Sequence, residues 1–143
     1  MHKLSFLFLV LLVVGCQKYT ADSLPPDRLH FGSKGGFTGE MREYILLLDK
    51  GRVLFHDPLT DRFEKVGKLD KDFLAKIQGE LTALPFGAGA GRPGNINTQL
   101  VYHLRGEKQE LQWSSPSGAP TPETQQCFED LMAAVRVMRK TKP

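Results

Sequence analysis

The sequence predicts an α+β fold: a single two-layer domain with an antiparallel sheet of two hairpins and two helices on one face. Three observations support it. Apolar and polar residues alternate in pairs of short segments joined by glycine turns, which is typical of β-hairpins. Two longer segments instead carry apolar residues at helical spacing. Because each element has one apolar face, a sheet covered on one side by both helices buries them all. The predicted order is β-β-(β)-α-β-β-α.

The first hairpin is predicted over residues 37–55. A glycine-rich turn over residues 32–36 precedes a strand over residues 37–48. The turn Asp49-Lys50-Gly51 then places glycine where a left-handed residue is required. The apolar residues of the return strand and of one further short strand are Val53, Phe55, Phe63 and Val66.

The first helix is predicted to begin after Asp70, a good N-cap, and to end at Pro85. A glycine-rich loop over residues 87–95 follows it and leads to the second hairpin, over residues 100–113. The apolar residues at helical spacing are Phe73, Leu74, Ile77, Leu81 and Leu84.

The last helix is predicted to begin after the Ser114–Pro120 loop, with Thr121 as N-cap and Pro122 in the first helical position, where proline is best tolerated. Its apolar stripe is predicted to be buried with Cys127 beside it. The stripe comprises Phe128, Leu131, Met132, Val135 and Met138.

The N-terminal residues MHKLSFLFLVLLVVGC resemble a bacterial lipoprotein signal. The apolar run over residues 4–15 is shorter than the roughly 20 residues that span a bilayer, and small residues precede Cys16. The resemblance implies a signal peptide over residues 1–15, cleavage before Cys16, and lipid, palmitate included, on the Cys16 thiol. An ordinary cleaved signal and a short uncleaved anchor are the alternatives.

The rest of the chain is divided accordingly. Residues 16–28 are expected to form the lipidated cysteine and a flexible tether, because Pro25-Pro26 favours an extended chain. Residues 29–139 form the domain and residues 140–143 a C-terminal tail. The expected location is the cell envelope. Gln17, which stands where aspartate would retain a lipoprotein, favours the outer membrane if the cell has two membranes.

Composition excludes several classes of function. Removing residues 1–15 of the 143 leaves 128, enough for one domain, and lowers the net charge from +3 to +2 because Lys3 is lost. This mild charge argues against a nucleic-acid partner, and the basic residues near the C-terminus suit a helix end. Cys127 has no partner for a disulfide once Cys16 carries lipid.

No pattern for catalysis or metal binding is present. His30, His56 and His103 lie in three distant segments, and the chain has no HExxH or GxSxG sequence. The pair His56-Asp57 is interpreted as a solvated turn. His103 is predicted to face solvent on the open side of the sheet. We therefore expect no cofactor, no metal and no enzymatic activity.

The segment Gly35-Gly36-Phe37-Thr38-Gly39 is the sharpest local motif, and two interpretations stay open. Its phenylalanine, together with Phe31, could pin the start of a strand in the core. Alternatively, Gly35, Gly36, Phe37, Thr38 and Gly39 form a projecting loop that meets a partner, because the glycines permit positive φ.

The GGFTG segment, the DxG turn, the LDKDFLAKI helix and the PE-initiated helix resemble a group of small bacterial proteins. Many of these are lipoproteins of an uncharacterised family, and the resemblance covers residues 30–138. The SxGGF-[AT]-G element is also similar to that of emfourin-like inhibitors of protealysin-type metalloproteases, which resemble thermolysin. That similarity implies a protease as partner.

Three functions are therefore considered. The first is a lipid-anchored envelope protein that binds the membrane through Cys16 and acts as a non-catalytic binding or structural module for an envelope protein. The second is inhibition of a thermolysin-like metalloprotease. The third is binding of a small molecule or carbohydrate on the open side of the sheet, around Tyr44, His103 and Gln112.

Overall fold

An antiparallel sheet and two helices make up the part of the chain that the computed structural model describes, residues 19–36, 39, 41–87, 94–114 and 118–142. The predicted α+β class is confirmed. The six strands of these residues are β1 (Arg28–Gly35), β2 (Met41–Leu47), β3 (Arg52–Asp57), β4 (Arg62–Lys68), β5 (Ile96–Leu104) and β6 (Glu107–Ser114). The two α-helices are α1 (Lys71–Ala83) and α2 (Pro122–Lys140).

The strands lie in the order β4-β3-β2-β1-β5-β6 and every neighbouring pair is antiparallel. The interior strand β1 therefore pairs with β2 on one side and with β5 on the other. β1, which lies outside the predicted strands, thereby joins the two predicted hairpins.

The predicted turn over residues 32–36 is wrong for its first four residues, which belong to β1. Gly32 lies opposite Glu43, and a Cβ atom at this glycine would come within 1.9 Å of the Arg42 carbonyl oxygen. The glycine is thus required by the close approach of two strands. A glycine in a strand interior often marks such a close approach of another backbone.

Both helices begin where the sequence predicts. The Asp70 side chain accepts a hydrogen bond from the Phe73 backbone N–H at 2.8 Å, and α1 follows. The Thr121 hydroxyl likewise accepts from the Thr124 N–H at 3.2 Å, and Pro122 opens α2. These caps satisfy backbone donors that the first turn of a helix leaves unpaired.

The main core lies between the sheet and the helices. Alternate residues of β1, β2, β3, β5 and β6 point to the helices, and apolar residues of α1 and α2 complete the same cluster. Burial of each large apolar side chain contributes about 1.5–3 kcal/mol. Its largest fully buried members include Trp113, Phe31, Leu29, Leu46, Ile77, Leu81, Leu100, Leu111 and Leu131.

The composition of this core tests two predictions about single residues. Cys127 is fully buried in it, as predicted, and burial raises the pKa of its thiol to about 12. Tyr44 was expected on the open side of the sheet, and this is wrong. It pairs with Phe31 and is buried under the helices, because residues directly opposite on neighbouring strands share a face.

Candidate functional site

The sheet face that points away from the helices, called the open face below, carries a second, smaller apolar cluster. Ile45, Leu47 and Leu54 are buried there, although no helix covers them. Tyr19 and Leu24, from the segment before β1, pack against this cluster, as does Phe63 of β4. The open face is therefore partly covered by the chain's own N-terminal segment.

That segment has defined structure. A 3₁₀ helix over Ala21–Ser23 begins at Thr20, and the Thr20 N–H donates to the Ser23 hydroxyl at 2.7 Å. The Arg52 guanidinium donates to the Tyr19 hydroxyl at 3.3 Å, and the Arg28 guanidinium donates to the Pro25 carbonyl at 2.9 Å. A flexible tether was predicted over residues 16–28. For residues 19–27 this prediction is wrong, because they lie against the sheet. Cys16 lies outside the described residues.

Beside this cluster, the open face brings together ionisable side chains from β1, β2 and β3. Strand pairing places Gly32 opposite Glu43, and Glu43 opposite His56. His30 stands two residues before Gly32, on the same face of β1. Because Gly32 has no side chain, no side chain of β1 lies directly opposite Glu43. The Glu43 carboxylate can therefore reach His30 on β1 as well as His56 on β3.

Glu43 binds both histidines. Its Oε1 lies 2.9 Å from His30 Nδ1, and its Oε2 lies 3.0 Å from His56 Nδ1. The other ring nitrogen of each histidine is also bound: Arg28 Nε lies 2.9 Å from His30 Nε2, and Asp61 Oδ1 lies 2.7 Å from His56 Nε2. We call Arg28, His30, Glu43, His56 and Asp61 the histidine network.

The partners fix the proton positions on both rings. Arg28 can only donate, so His30 Nε2 accepts and the ring proton lies on Nδ1, from which it is donated to Glu43. His56 faces a carboxylate at each nitrogen, which favours the imidazolium with two N–H donors.

The pKa values change accordingly. Burial alone would raise the pKa of Glu43, but the hydrogen bonds from His30 and His56 and the positive charge of His56 outweigh it and hold that pKa below its ordinary value of 4.5. Burial alone would lower the pKa of His56, yet its bonds to Asp61 and Glu43 raise it above 6.5. The carboxylate form of Glu43 and the cationic form of His56 are thus both favoured.

His103 lies beside the network. It pairs with Arg28 across β1 and β5, and its ring centroid lies 5.3 Å from that of His30. Partial burial, followed by the positive charges of Arg28 and Lys108, lowers the pKa of His103. The prediction that His103 lies on the open side of the sheet is confirmed, although the side chain is half-buried rather than fully solvated.

The two histidine rings of the network have no ring nitrogen without a hydrogen-bond partner. Each nitrogen of His30 and His56 is already hydrogen-bonded, and the bonds that reach them come from Arg28, Glu43 and Asp61 rather than from a hydroxyl or thiol. In the described ranges, no group of three or more histidine, cysteine or acidic side chains is placed to hold a metal ion. The network therefore fixes a polar, charged patch in the middle of the open face.

The glycine segment lies at a different place, at the end of the sheet where β1 ends and β2 begins. The Gly36 N–H donates to the Asn95 carbonyl at 2.7 Å, and the Gly39 N–H donates to the Gly36 carbonyl at 3.1 Å. Gly35 has φ +116°, and a Cβ atom there would come within 2.3 Å of the Asn95 oxygen. Phe37 and Thr38 lie outside the described residues.

Two other loops reach this same end of the sheet. Gly94 and Asn95 close the loop that precedes β5, and a Cβ atom at Gly94 would come within 2.2 Å of Ser114 Oγ, at the end of β6. The Gly118 N–H donates to the Ser114 carbonyl at 2.8 Å. The ends of the three glycine-rich segments are thus bonded or packed against one another, although the sequence separates them widely.

Sequence reasoning missed the histidine network. Strand register alone brings its members together, and the chain separates His30 from Glu43 by 13 positions. One signal was available: Glu43 lies in the apolar run of β2, directly before Tyr44 and Ile45. A carboxylate at a buried strand position requires a partner. The solvated turn expected at His56-Asp57 is wrong for His56, which is half-buried and stacks on Phe63 at 4.7 Å.

Comparison with known proteins gives no relationship: no protein-family model and no curated protein matches the chain. Among the helices of the described residues, none has the length and apolar character needed to cross a membrane.

Proposed function

We propose that the protein is a lipid-anchored cell-envelope protein whose domain is a non-catalytic binding or structural module. The observation that supports this proposal is the short sequence distance between the end of the predicted signal peptide and the first residue seen packed on the sheet. Cys16 ends the apolar run with small residues before it, and Tyr19, three positions later, packs on the sheet. Two or more acyl chains hold a protein on a membrane almost permanently, since each buried methylene contributes about 0.8 kcal/mol.

The open face supports a binding role over a catalytic one. The ionisable side chains of the histidine network satisfy one another, and a network of this kind fixes the shape and charge of a surface. In a cell with two membranes, Gln17 after the cysteine favours the outer membrane as the site of anchoring.

Metabolic labelling with radioactive palmitate tests the anchor. The wild-type chain is expected to incorporate label and to sediment with membranes, whereas the Cys16→Ser chain does neither. Cys127→Ala is the matched control, because it removes the other cysteine, which is buried in the core, and should keep label and location. Label on the Cys16→Ser chain, or its retention in washed membranes, would contradict the proposal.

The partner is expected to be a protein of the envelope. Cross-linking in intact cells followed by affinity purification of the anchored wild-type chain should recover the same protein repeatedly. The Cys16→Ser chain, mislocalised, should recover much less of it. Equal recovery from both chains would show that anchoring does not place the module beside its partner.

A second candidate function is inhibition of a thermolysin-like metalloprotease. The observation in its favour is that the Gly36 N–H bonds to Asn95, so the start of the GGFTG segment is fixed at the tip of a hairpin. A binding segment whose start is already fixed loses less conformational entropy when it binds. The full chain in detergent should then inhibit such a protease at stoichiometric concentration.

The loop variant that tests this is Phe37→Ala. Leu59→Ala is its control, because Leu59 is 93% exposed in the turn between β3 and β4, at the same end of the sheet. Inhibition that is weakened by Phe37→Ala and unchanged by Leu59→Ala would support this function. No inhibition by the wild-type chain across a panel of such proteases would exclude it.

A further inference from the structure

The segment before β1 fixes how far the domain can move from an anchored Cys16. An extended chain covers at most about 3.6 Å per residue, so three positions allow about 11 Å between the Cα atoms of Cys16 and Tyr19. The Tyr19 side chain packs on the open face, and its hydroxyl is bound by Arg52. Residues 19–27, which could otherwise have served as a spacer, lie against the sheet.

We infer that the open face, along the hairpin of β3 and β4, rests on the membrane that carries the lipid, with its basic side chains among anionic lipid headgroups. This inference rests on the proposed anchoring at Cys16 and extends it from attachment to orientation. The helices then face away from the membrane, toward the aqueous compartment.

Charge on the hairpin agrees with this orientation. Lys65 lies opposite Leu54, so it shares the open face with Arg52, and it is exposed. Within the described ranges neither cation forms an ion pair with a carboxylate: Asp61 is bound to His56, and the Arg52 guanidinium donates to the uncharged Tyr19 hydroxyl. Because electrostatic attraction falls off over about 8 Å at physiological salt, only cations held this close to the surface contribute.

An exposed apolar residue lies at the tip of the same hairpin. Leu59 is 93% exposed in the turn between β3 and β4, where the Asp57 carboxylate accepts hydrogen bonds from the Leu59 N–H and the Thr60 hydroxyl. These bonds hold the turn with the leucine outward. A leucine at such a position can enter the interface between headgroups and acyl chains once the hairpin lies on the surface.

Site-directed fluorescence quenching tests the orientation. The full lipidated chain is reconstituted in vesicles of 70% phosphatidylcholine and 30% phosphatidylglycerol that carry headgroup spin labels. A thiol-reactive fluorophore is attached to Lys65→Cys on the open face or to Arg136→Cys on α2, each of which replaces one exposed cation. Cys127 stays unlabelled because it is fully buried, and Cys16 carries lipid.

The expected result is strong quenching at position 65 and at least threefold weaker quenching at position 136. Equal quenching, or stronger quenching at 136, with a chain that floats with the vesicles would overturn the orientation alone. A chain that does not float would overturn the anchoring at Cys16 and the orientation with it. The two failures are therefore distinguishable.

Vesicle partitioning of the full-length Cys16→Ser chain provides a second measurement that needs no label. Lys65→Gln should weaken binding to the same vesicles about fivefold, the usual contribution of one cation near an anionic surface. Arg136→Gln, on the side away from the membrane, should leave binding unchanged, and vesicles of phosphatidylcholine alone should show no difference between the chains. Equal effects of the two substitutions would contradict the inferred contact with headgroups.

Discussion

Replacing Glu43 by glutamine tests whether the histidine network stabilises the fold. The carboxylate is 12% exposed and accepts hydrogen bonds from His30 and His56 at 2.9 and 3.0 Å. A glutamine side chain has one oxygen, so it can accept from one histidine only, and its NH₂ group then faces the N–H of the other. The substitution keeps the size of the side chain and removes its charge.

The magnitude follows from that loss. A hydrogen bond to a charged group contributes about 1.5–3 kcal/mol, and one of two is replaced by an unfavourable contact between donors. We expect Glu43→Gln to lower the free energy of unfolding by about 2–3 kcal/mol. For a domain of about 120 residues this corresponds to a fall in Tm of about 10 °C.

The assay is urea unfolding of the full chain in detergent, followed by the fluorescence of Trp113, which is buried in the core. Glu110→Gln is the control, since Glu110 also lies on the open face but is 44% exposed, at 3.6 Å from Lys108. Exposed pairs of this kind contribute little. If Glu43→Gln changed stability by no more than Glu110→Gln, the network would have no structural role.

The loss of stability caused by Glu43→Gln should also depend on pH, and the pKa shifts of His56 and Glu43 give the direction of that dependence. The folded pKa of His56 is raised above 6.5, so its contribution is complete below pH 6.5 and is lost as the pH rises through the folded value. The folded pKa of Glu43 is lowered from 4.5, so its contribution is present above pH 4.5 and is lost as the pH falls through the folded value. The difference between wild type and Glu43→Gln should therefore be largest between pH 4.5 and 6.5. A difference that grows steadily toward pH 9 would refute the assignment of His56 as a cation.

Three further predictions concern the packing of the domain. Gly32→Ala should destabilise the domain by more than about 2 kcal/mol, because the new Cβ atom would lie 1.9 Å from the Arg42 oxygen. Gly79→Ala in helix α1, where a Cβ atom meets open space, should instead stabilise the domain by up to about 1 kcal/mol. The same urea titration measures both variants. Leu24→Ala should cost about 1–2 kcal/mol through loss of cover over Ile45 and Leu47, whereas Leu59→Ala should cost nothing measurable; equal effects would show that residues 19–27 do not stabilise the sheet. Cys127 should react with a maleimide only in denaturant, because burial raises the pKa of its thiol to about 12, and rapid labelling of the native chain would contradict its burial.

Local sequence signals predicted most of the fold. Asp70 and Thr121 are residue types that favour the N-cap position, so the sequence alone located the start of both helices. Pro122 likewise marks the first turn of α2. The hairpin turn at Gly51 could be predicted equally well, because a φ of +70° favours glycine. In each of these cases the stabilising contact joins residues a few positions apart.

Features that depend on strand register were not predicted. The side on which Tyr44 lies, the strand position of Gly32 and the meeting of Glu43 with two histidines all follow from the pairing of β1 with β2. A shift of one residue in that pairing would exchange the two faces of the strand. A single sequence does not determine register where β2 has apolar residues on both faces, as Tyr44-Ile45-Leu46-Leu47 does.

The interior position of β1 has a consequence for the order in which the chain can fold. β1 is made early, but the strand that covers its second edge, β5, begins at Ile96 and is separated from it by β2, β3, β4 and α1. During synthesis, a row of backbone donors and acceptors therefore stays unpaired until two thirds of the chain exists, and open strand edges of this kind recruit other chains. Closing such a distant pair also slows folding. Aggregation during production should thus be most severe for chains that stop before β5, and least for those that include it.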